Sequence, residues 1–314
     1  MWRTGTTVLV LWAGLTVSCG GHGPTATEDG ASPAAGWVAG TVVSVVSGAT
    51  GEPVVGARVS VGGLVVTTEG GGVAIVPSAV AEGAPVDVDA GGFLTRQTTV
   101  RAAAARVDLW PDDPRLPGSY TQQLVYTRAS TTDGGTLVPL ERLPPGVRSV
   151  VVVPSDALEE DRVAVAALRR ATDEFNAATG GRVRFSLDGS ADLKVPARVA
   201  PNDPACEGQA SRLLARTWAS GHEVTRAEIL FCSAEPTRLW WPIAHEMGHV
   251  FGFGHSAEPR DLMYPWYTRD AEHGFSGREA LLMGLLQQRR GGNAWPDNDR
   301  AATASASGVR TFVN

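Results

Sequence analysis

The chain has 314 residues and a mass of 32.8 kDa, of which 43% are hydrophobic and 19% charged. This length accommodates two ordinary domains, and the apolar content is enough to fold them, so global disorder is excluded. The net charge of -6, without any Lys/Arg-rich stretch, predicts no nucleic-acid partner, and no apolar run reaches the roughly 18 residues of a membrane-spanning helix.

Residues 1–19 have the pattern of a signal peptide: Arg3 supplies a positive charge, and an apolar stretch and then small residues follow it. The Thr16–Cys19 junction resembles a bacterial lipobox, in which the cysteine becomes the lipidated first residue of the mature protein. Ordinary cleavage near Ser18, with Cys19 left unmodified, is the alternative. Residues 20–35 are rich in Gly, Pro, Ser, Thr and Ala, which predicts a flexible linker.

Export would place the protein in the cell envelope or at the cell surface through a lipid anchor, and otherwise outside the cell. The anchor is the only membrane contact that we expect. Oxidising conditions there favour a disulfide between Cys206 and Cys232, although two buried free thiols remain the alternative at this stage.

Residues 36–112 are predicted to form a small all-β sandwich domain. Short apolar alternations, such as Val59 with Val61 and Val86 with Val88, are separated by Gly-rich turns. The succession of V-x-G-T-V, TGEPVVGARVSV and a later AGGF resembles the carboxypeptidase regulatory-like domains, which implies a transthyretin-like accessory module. Residues 113–148 are rich in Pro and Gly and are interpreted as a linker and lead-in.

A second domain is predicted over residues 149–292, because a strand, a helix and further strands follow one another. The first helix is expected to begin at a capping box formed by Asp156 and Glu159. Strands are predicted around residues 149–153, 182–186, 193–195 and 229–231, and a second amphipathic helix over residues 276–290. Residues 293–314 are interpreted as a C-terminal tail that is polar and frayed.

The segment HEMGHVFGFGH, which begins at His245, carries the candidate chemistry. His245 and His249 are four residues apart, so a helix presents both on one face. Gly252 allows the helix to end in a left-handed turn, which returns His255 as a third ligand. Three imidazoles suit one catalytic Zn²⁺ ion, which keeps its fourth position for water and lowers the pKa of that water. Glu246 would take the proton, and the hydroxide would attack an amide carbonyl.

This spacing, H-E-x-x-H-x-x-G-x-x-H, resembles the signature of the metzincin zinc proteases. Met263, in DLMYPWY, matches their Met-turn, and Ser256 with Met263-Tyr264-Pro265 resembles the matrixin branch. The resemblance implies an α+β catalytic domain, with a mixed twisted sheet, an active-site helix and a C-terminal helix. It also implies that Pro265 and Tyr267 line the pocket for the first residue after the scissile bond.

The sequence therefore predicts an exported zinc-dependent endopeptidase that acts on protein or peptide substrates as a monomer. The alternative is a noncatalytic cell-surface binding module with a structural zinc site, for which Glu246 would have no use. No cysteine lies between Cys19 and Cys206, so the cysteine-switch propeptide of animal matrixins is missing and latency is unexplained. His222 and His273 are expected to be ordinary surface histidines.

Overall fold

The computed structural model describes residues 40–100, 104–112, 126–128, 137–139, 141–144, 146–208, 212–266, 274–294, 297–301 and 308–313. The predicted signal peptide, Cys19, the linker at 20–35, Tyr267 and His273 lie outside these residues. Within them, no helix has the length and apolar character needed to cross a membrane.

The N-terminal part consists of two small sheets over a shared core. Its strands are β1 (Thr41–Ser47), β2 (Arg58–Val61), β3 (Leu64–Thr67), β4 (Val73–Val76), β5 (Pro85–Asp89), β6 (Arg96–Thr99) and β7 (Ala104–Leu109). One sheet has the order β4-β1-β7 and the other β3-β2-β5-β6. Alternate residues of these strands face a core of Val and Ala with Leu109. The identification of this part as a sandwich domain stays a prediction.

The larger sheet has the order β11-β10-β12-β14-β13-β15. Its strands are β10 (Ser149–Pro154), β11 (Arg184–Ser186), β12 (Leu193–Val199), β13 (Leu213–Ser220), β14 (Glu223–Phe231) and β15 (Gly308–Val313), and a separate hairpin pairs β8 (Tyr126–Arg128) with β9 (Leu137–Pro139). The strands from β11 to β14 are parallel, whereas β13 and β15 are antiparallel to their neighbours. The expectation of a frayed tail is wrong for residues 308–313, because they hydrogen-bond along the whole edge of β13.

The described helices of at least one α-turn are α1 (Asp156–Glu159), α2 (Arg162–Thr179), α3 (Trp240–Phe251) and α4 (Gly277–Leu286). The predicted capping box at Asp156 is wrong, since α1 is a separate single turn. The long helix α2 begins after Asp161, whose carboxylate accepts from the amides of Val163 and Ala164 and satisfies two exposed donors. It ends at Gly180, which has a φ of 61°.

Aromatic contacts hold α2 against the sheet and against α3. The ring of Phe175 lies 4.3 Å from that of Phe185 on β11 and 5.4 Å from that of Phe251 on α3, measured between centroids. A disulfide joins Cys206 to Cys232, which follows β14, and this bond was the favoured reading of the sequence. The contact between Phe175 and Phe251 therefore holds α3 against α2.

His222 differs from the expectation of a surface residue. It lies in the turn between β13 and β14, is only 5% exposed, and has a φ of 70°. Its carbonyl oxygen accepts from the amide of Arg142, 3.1 Å away. Gly291 and Gly292 pack so closely against it that a Cβ at either position would overlap its atoms. The turn is therefore held in place by a segment distant in sequence, which a local pattern does not reveal.

Candidate metal centre

The helix α3 ends where the motif predicts. Gly252 has a φ of 111°, a conformation that only glycine adopts readily, and its amide donates to the carbonyl oxygens of Gly248 and His249. A Cβ at Gly252 would lie 2.6 Å from the carbonyl oxygen of Glu141. Gly252 is therefore needed both for the turn and for the close approach of another segment, and the turn brings His255 back toward the helix.

The structure brings the three predicted ligands together. The Nε2 atoms of His245 and His249 are 3.0 Å apart, and those of His249 and His255 are 3.2 Å apart. The candidate ligand atoms all lie within 4.8 Å of one another, and His245 and His249 are buried. Such a cluster could hold one metal ion.

Hydrogen bonds on the far side of the His245 and His249 rings determine which nitrogen of each carries a proton. Nδ1 of His245 lies 2.6 Å from the carbonyl oxygen of Leu262, and Nδ1 of His249 lies 2.8 Å from that of Phe253. Because a carbonyl oxygen only accepts, both Nδ1 atoms are the donors and both Nε2 atoms carry lone pairs. Two lone pairs that face each other at 3.0 Å are stabilised by a cation between them, so the donor set fits a zinc ion.

The electrostatic environment keeps His249 in the neutral form that a metal requires. Burial, followed by the neighbouring His255 and His245, lowers the pKa of His249 well below its ordinary value. One face of the His249 ring is covered by Phe312 of β15, with the ring centroids 4.2 Å apart and the planes 9° from parallel. Glu246, one residue after His245 on α3, is completely buried.

Met263 lies against α3 between the two helical histidines. Its Sδ atom occupies the space that a Cβ at Gly248 would need, and its Cε would lie 3.0 Å from that Cβ. The Met263 carbonyl accepts from the amide of Ser256, 2.8 Å away, so the turn is tied to the segment that follows His255. The assignment of Met263 to a Met-turn stays a prediction.

Glu279 on α4 holds the same turn from the other side, a role that the sequence reasoning missed. Its carboxylate accepts from the amides of Leu262, Met263 and Ser276 at 3.1, 2.8 and 2.7 Å. Since Leu262 in turn accepts from His245, Glu279 is one residue removed from a candidate ligand. The sequence does contain one indication of this role, because Ser276 and Glu279 have the S-x-x-E spacing of a capping box, and the structure contains that box.

The environment of Glu279 opposes its ionisation. Burial, followed by the nearby Asp261 carboxylate, raises the pKa of Glu279 to about 7, against the opposing effect of its backbone donors. Asp261 itself is buried and accepts from Ser256, Ser276 and Arg278 at 2.5, 2.8 and 2.9 Å. Two buried carboxylates thus organise the loop that follows the third histidine.

The remaining predicted site residues lie at the end of this loop. Pro265 is half-buried and the neighbouring Trp266 is 65% exposed, while the position of Tyr267 is not described. Their role in a substrate pocket therefore stays a prediction.

Comparisons with known proteins point to one family. The matrixin family model, described as Peptidase_M10, matches residues 172–279. A protein of Heliothis virescens ascovirus 3e named "Putative matrix metalloproteinase" is 50% identical over 32 residues, which cover 10% of this chain and only 7% of that relative. Both matches support a matrixin-like metzincin.

A structural neighbour, metalloproteinase-II from Bacteroides fragilis, is 13% identical, with 79% of this chain and 85% of that chain covered. Its TM-score of 0.29 is too low to carry an argument about the fold. The family match, in contrast, begins within α2, spans α3 and ends at Glu279. Matrixins depend on zinc, and the histidine triad could bind such an ion.

Proposed function

We propose that this protein is an exported zinc-dependent endopeptidase in which Glu246 is the general base of peptide-bond hydrolysis. One observation carries the proposal: three imidazole nitrogens converge within 4.8 Å, and a buried carboxylate follows the first of them on the same helix. The matrixin match over residues 172–279 supports the same chemistry.

His245, His249 and His255 would hold the ion through their Nε2 atoms. A zinc ion bound there supplies a Lewis acid that polarises a substrate carbonyl and lowers the pKa of water. Glu246 accepts the proton of the attacking water and returns it to the leaving amine nitrogen. Met263 keeps the region beneath the histidines apolar, and Glu279 fixes the Met263 turn.

Pro265 and Tyr267 are proposed to line the pocket for the first substrate residue after the scissile bond. Pro265 and Tyr267 are the second and fourth residues after Met263, which supports a position close to the metal centre. The half-buried state of Pro265 is consistent with this position. The substrate is a protein or peptide, and the enzyme acts as a monomer.

The N-terminal residues are proposed to deliver and position this domain. Residues 1–19 act as a signal peptide, lipidated Cys19 anchors the protein to a membrane of the cell envelope, and residues 20–35 are the tether. Residues 36–112 form an accessory β-sandwich, joined through residues 113–148 to the catalytic part. The disulfide between Cys206 and Cys232 favours an oxidising, exported location.

The experiment compares the protein lacking residues 1–35 with its Glu246→Gln variant, and measures zinc content and casein cleavage. We expect about one zinc per chain in both, and chelator-sensitive cleavage that falls roughly 10²- to 10⁴-fold in the variant because the general base is lost. Glu235→Gln, at an exposed position before α3, is the matched control and should leave the rate unchanged.

Two results would contradict the proposal. Absence of zinc would refute the site itself. Bound zinc without cleavage of casein or of a broad peptide library would favour the noncatalytic binding module instead. This result must hold both for the protein with residues 308–314 and for the protein from which they are removed.

A further inference from the structure

The strand β15 occupies the edge of the larger sheet that borders the metal centre. Without it, β13 would be the outermost strand and would present a row of unpaired backbone groups. Instead, β15 pairs antiparallel with β13 from Leu214 opposite Val313 to Ala219 opposite Gly308. A peptide that binds to a sheet edge adopts this same arrangement.

Side chains of a strand in this position reach the candidate ligands. Phe312, opposite Ala215, stacks its ring on His249 at a centroid distance of 4.2 Å and is only 8% exposed. An extended peptide that paired with β13 in place of β15 would therefore pass directly beside the triad. Such an edge is where a peptide bond could be presented to the metal centre.

Polar contacts through Glu141 also hold β15 against β13. Nε of Arg310 lies 2.9 Å from Oε1 of Glu141, and the Thr217 hydroxyl on β13 donates to Oε2 of Glu141 at 3.3 Å. Arg310 and Phe312 are two residues apart, so both point to one side of the strand, whereas Val309 is 57% exposed. One ion pair and one aromatic stack thus fix the register of the strand.

We propose that residues 308–313 are an intramolecular competitor of the substrate, which holds the edge of β13 and keeps the site latent until the strand is displaced or removed. This inference rests on the proposed peptidase function. The larger sheet is continuous from β11 to β13 without β15, so the competitor can leave without breaking the order of the other strands.

The test measures binding separately from turnover. The probe is a fluorescein-labelled peptide with the sequence of residues 308–314, mixed with zinc-loaded Glu246→Gln protein that is either full-length or ends at residue 307. We expect fluorescence anisotropy to show binding to the shortened protein and at least about tenfold weaker binding to the full chain, where the edge is occupied. A peptide with Ala in place of Phe312 should bind about tenfold less tightly, while Ala in place of Val309 should change binding less than about twofold.

Point variants of the full-length active protein give a second test, which does not depend on correct folding of the shortened protein. Phe312→Ala should raise the rate of casein cleavage and admit the labelled peptide, whereas Val309→Ala, the matched control, should do neither. No peptide binding to the shortened protein, together with no gain in Phe312→Ala, would overturn the proposal and make β15 a purely structural strand.

The two proposals fail in distinguishable ways. Equal cleavage by the full-length and shortened proteins would refute the competitor and leave the peptidase intact. Peptide binding to the shortened protein, without cleavage by either, would refute the peptidase and support occupation of the edge by residues 308–313.

Discussion

The two largest hydrophobic cores among the described residues differ in the polar groups that they bury together with their apolar side chains. The core under β1 to β7 consists of Val and Ala with Leu109, and its buried polar neighbours include the hydroxyls of Thr41 and Thr68. Arg96, also buried there, donates to Asp297 from the C-terminal part. The second core surrounds buried residues that can ionise, among them His249, Glu246 and Glu279.

The two cores therefore differ in what they contribute: the first contributes stability, and the second also supports the candidate metal centre. A core of β-branched side chains gains free energy by removing apolar surface from water and demands little of any single residue. Buried ionisable groups cost free energy unless ion pairs or hydrogen bonds satisfy them, as Asp297 does for Arg96. Those that adjoin the candidate ligands, such as Glu279, are candidates for a functional role. Changes in the first core should therefore alter unfolding alone, and changes around the triad should alter metal binding as well.

The largest expected effect on stability comes from the ionisation of Glu279. Because the pKa of Glu279 is raised from 4.5 to about 7, the folded state keeps a proton that the unfolded chain has already lost between these values. The contribution of this group is complete below pH 4.5 and is lost as the pH rises toward 7. The free energy of unfolding should fall by up to about 3 kcal/mol across this window.

Urea unfolding of metal-free protein at several pH values measures this effect. In Glu279→Gln, that part of the pH dependence should disappear, although the variant is less stable at low pH because an amide cannot accept from all three backbone donors. An identical pH dependence in both proteins would show that Glu279 does not titrate in this range.

Gly248→Ala tests the contact between α3 and the Met263 turn. The new Cβ would lie in the space of the Met263 Sδ atom, so the turn must shift, at a cost of about 1–3 kcal/mol. We expect a lower unfolding free energy and weaker zinc binding, measured by competition with a chelator. Gly277→Ala is the control, since a Cβ there contacts nothing within 4 Å. Equal zinc affinity in both variants would contradict a supporting role of Met263.

Val59→Ala provides the contrasting result in the first core. Val59 is fully buried, so the loss of its methyl groups should cost about 1.5 kcal/mol of unfolding free energy. Zinc affinity should not change. A parallel loss of zinc affinity would show that the two cores are coupled.

The site could be predicted from sequence to the extent that it is local. His245, His249, Gly252 and His255 lie within one helix and its cap, where spacing determines which side chains share a face. The role of Glu279 was missed although its capping box with Ser276 can be recognised in the sequence. A capping box predicts where a helix begins, but it does not predict which distant turn the carboxylate also contacts. Its bonds to Leu262 and Met263 depend on the tertiary packing of α4.

The strands, like the site, could be predicted where the sequence pattern is local. Alternating Val residues predicted β2 and β5, and a continuous Val run predicted β10, whereas β6, with the sequence RQTT, has no apolar alternation. The strand β15 was missed because its pairing with β13 joins segments far apart in the chain. The sequence of β15, GVRTFV, looks like part of a polar tail until the edge of β13 and the His249 ring are placed beside it.

The most direct test of the account is X-ray absorption spectroscopy at the zinc edge of the zinc-loaded protein. We predict one zinc per chain with three imidazole nitrogens at about 2.0–2.1 Å and a further light ligand, and loss of this spectrum in His249→Ala. Sulfur ligands, or an unchanged spectrum in the variant, would contradict the assignment of His245, His249 and His255 as the metal centre.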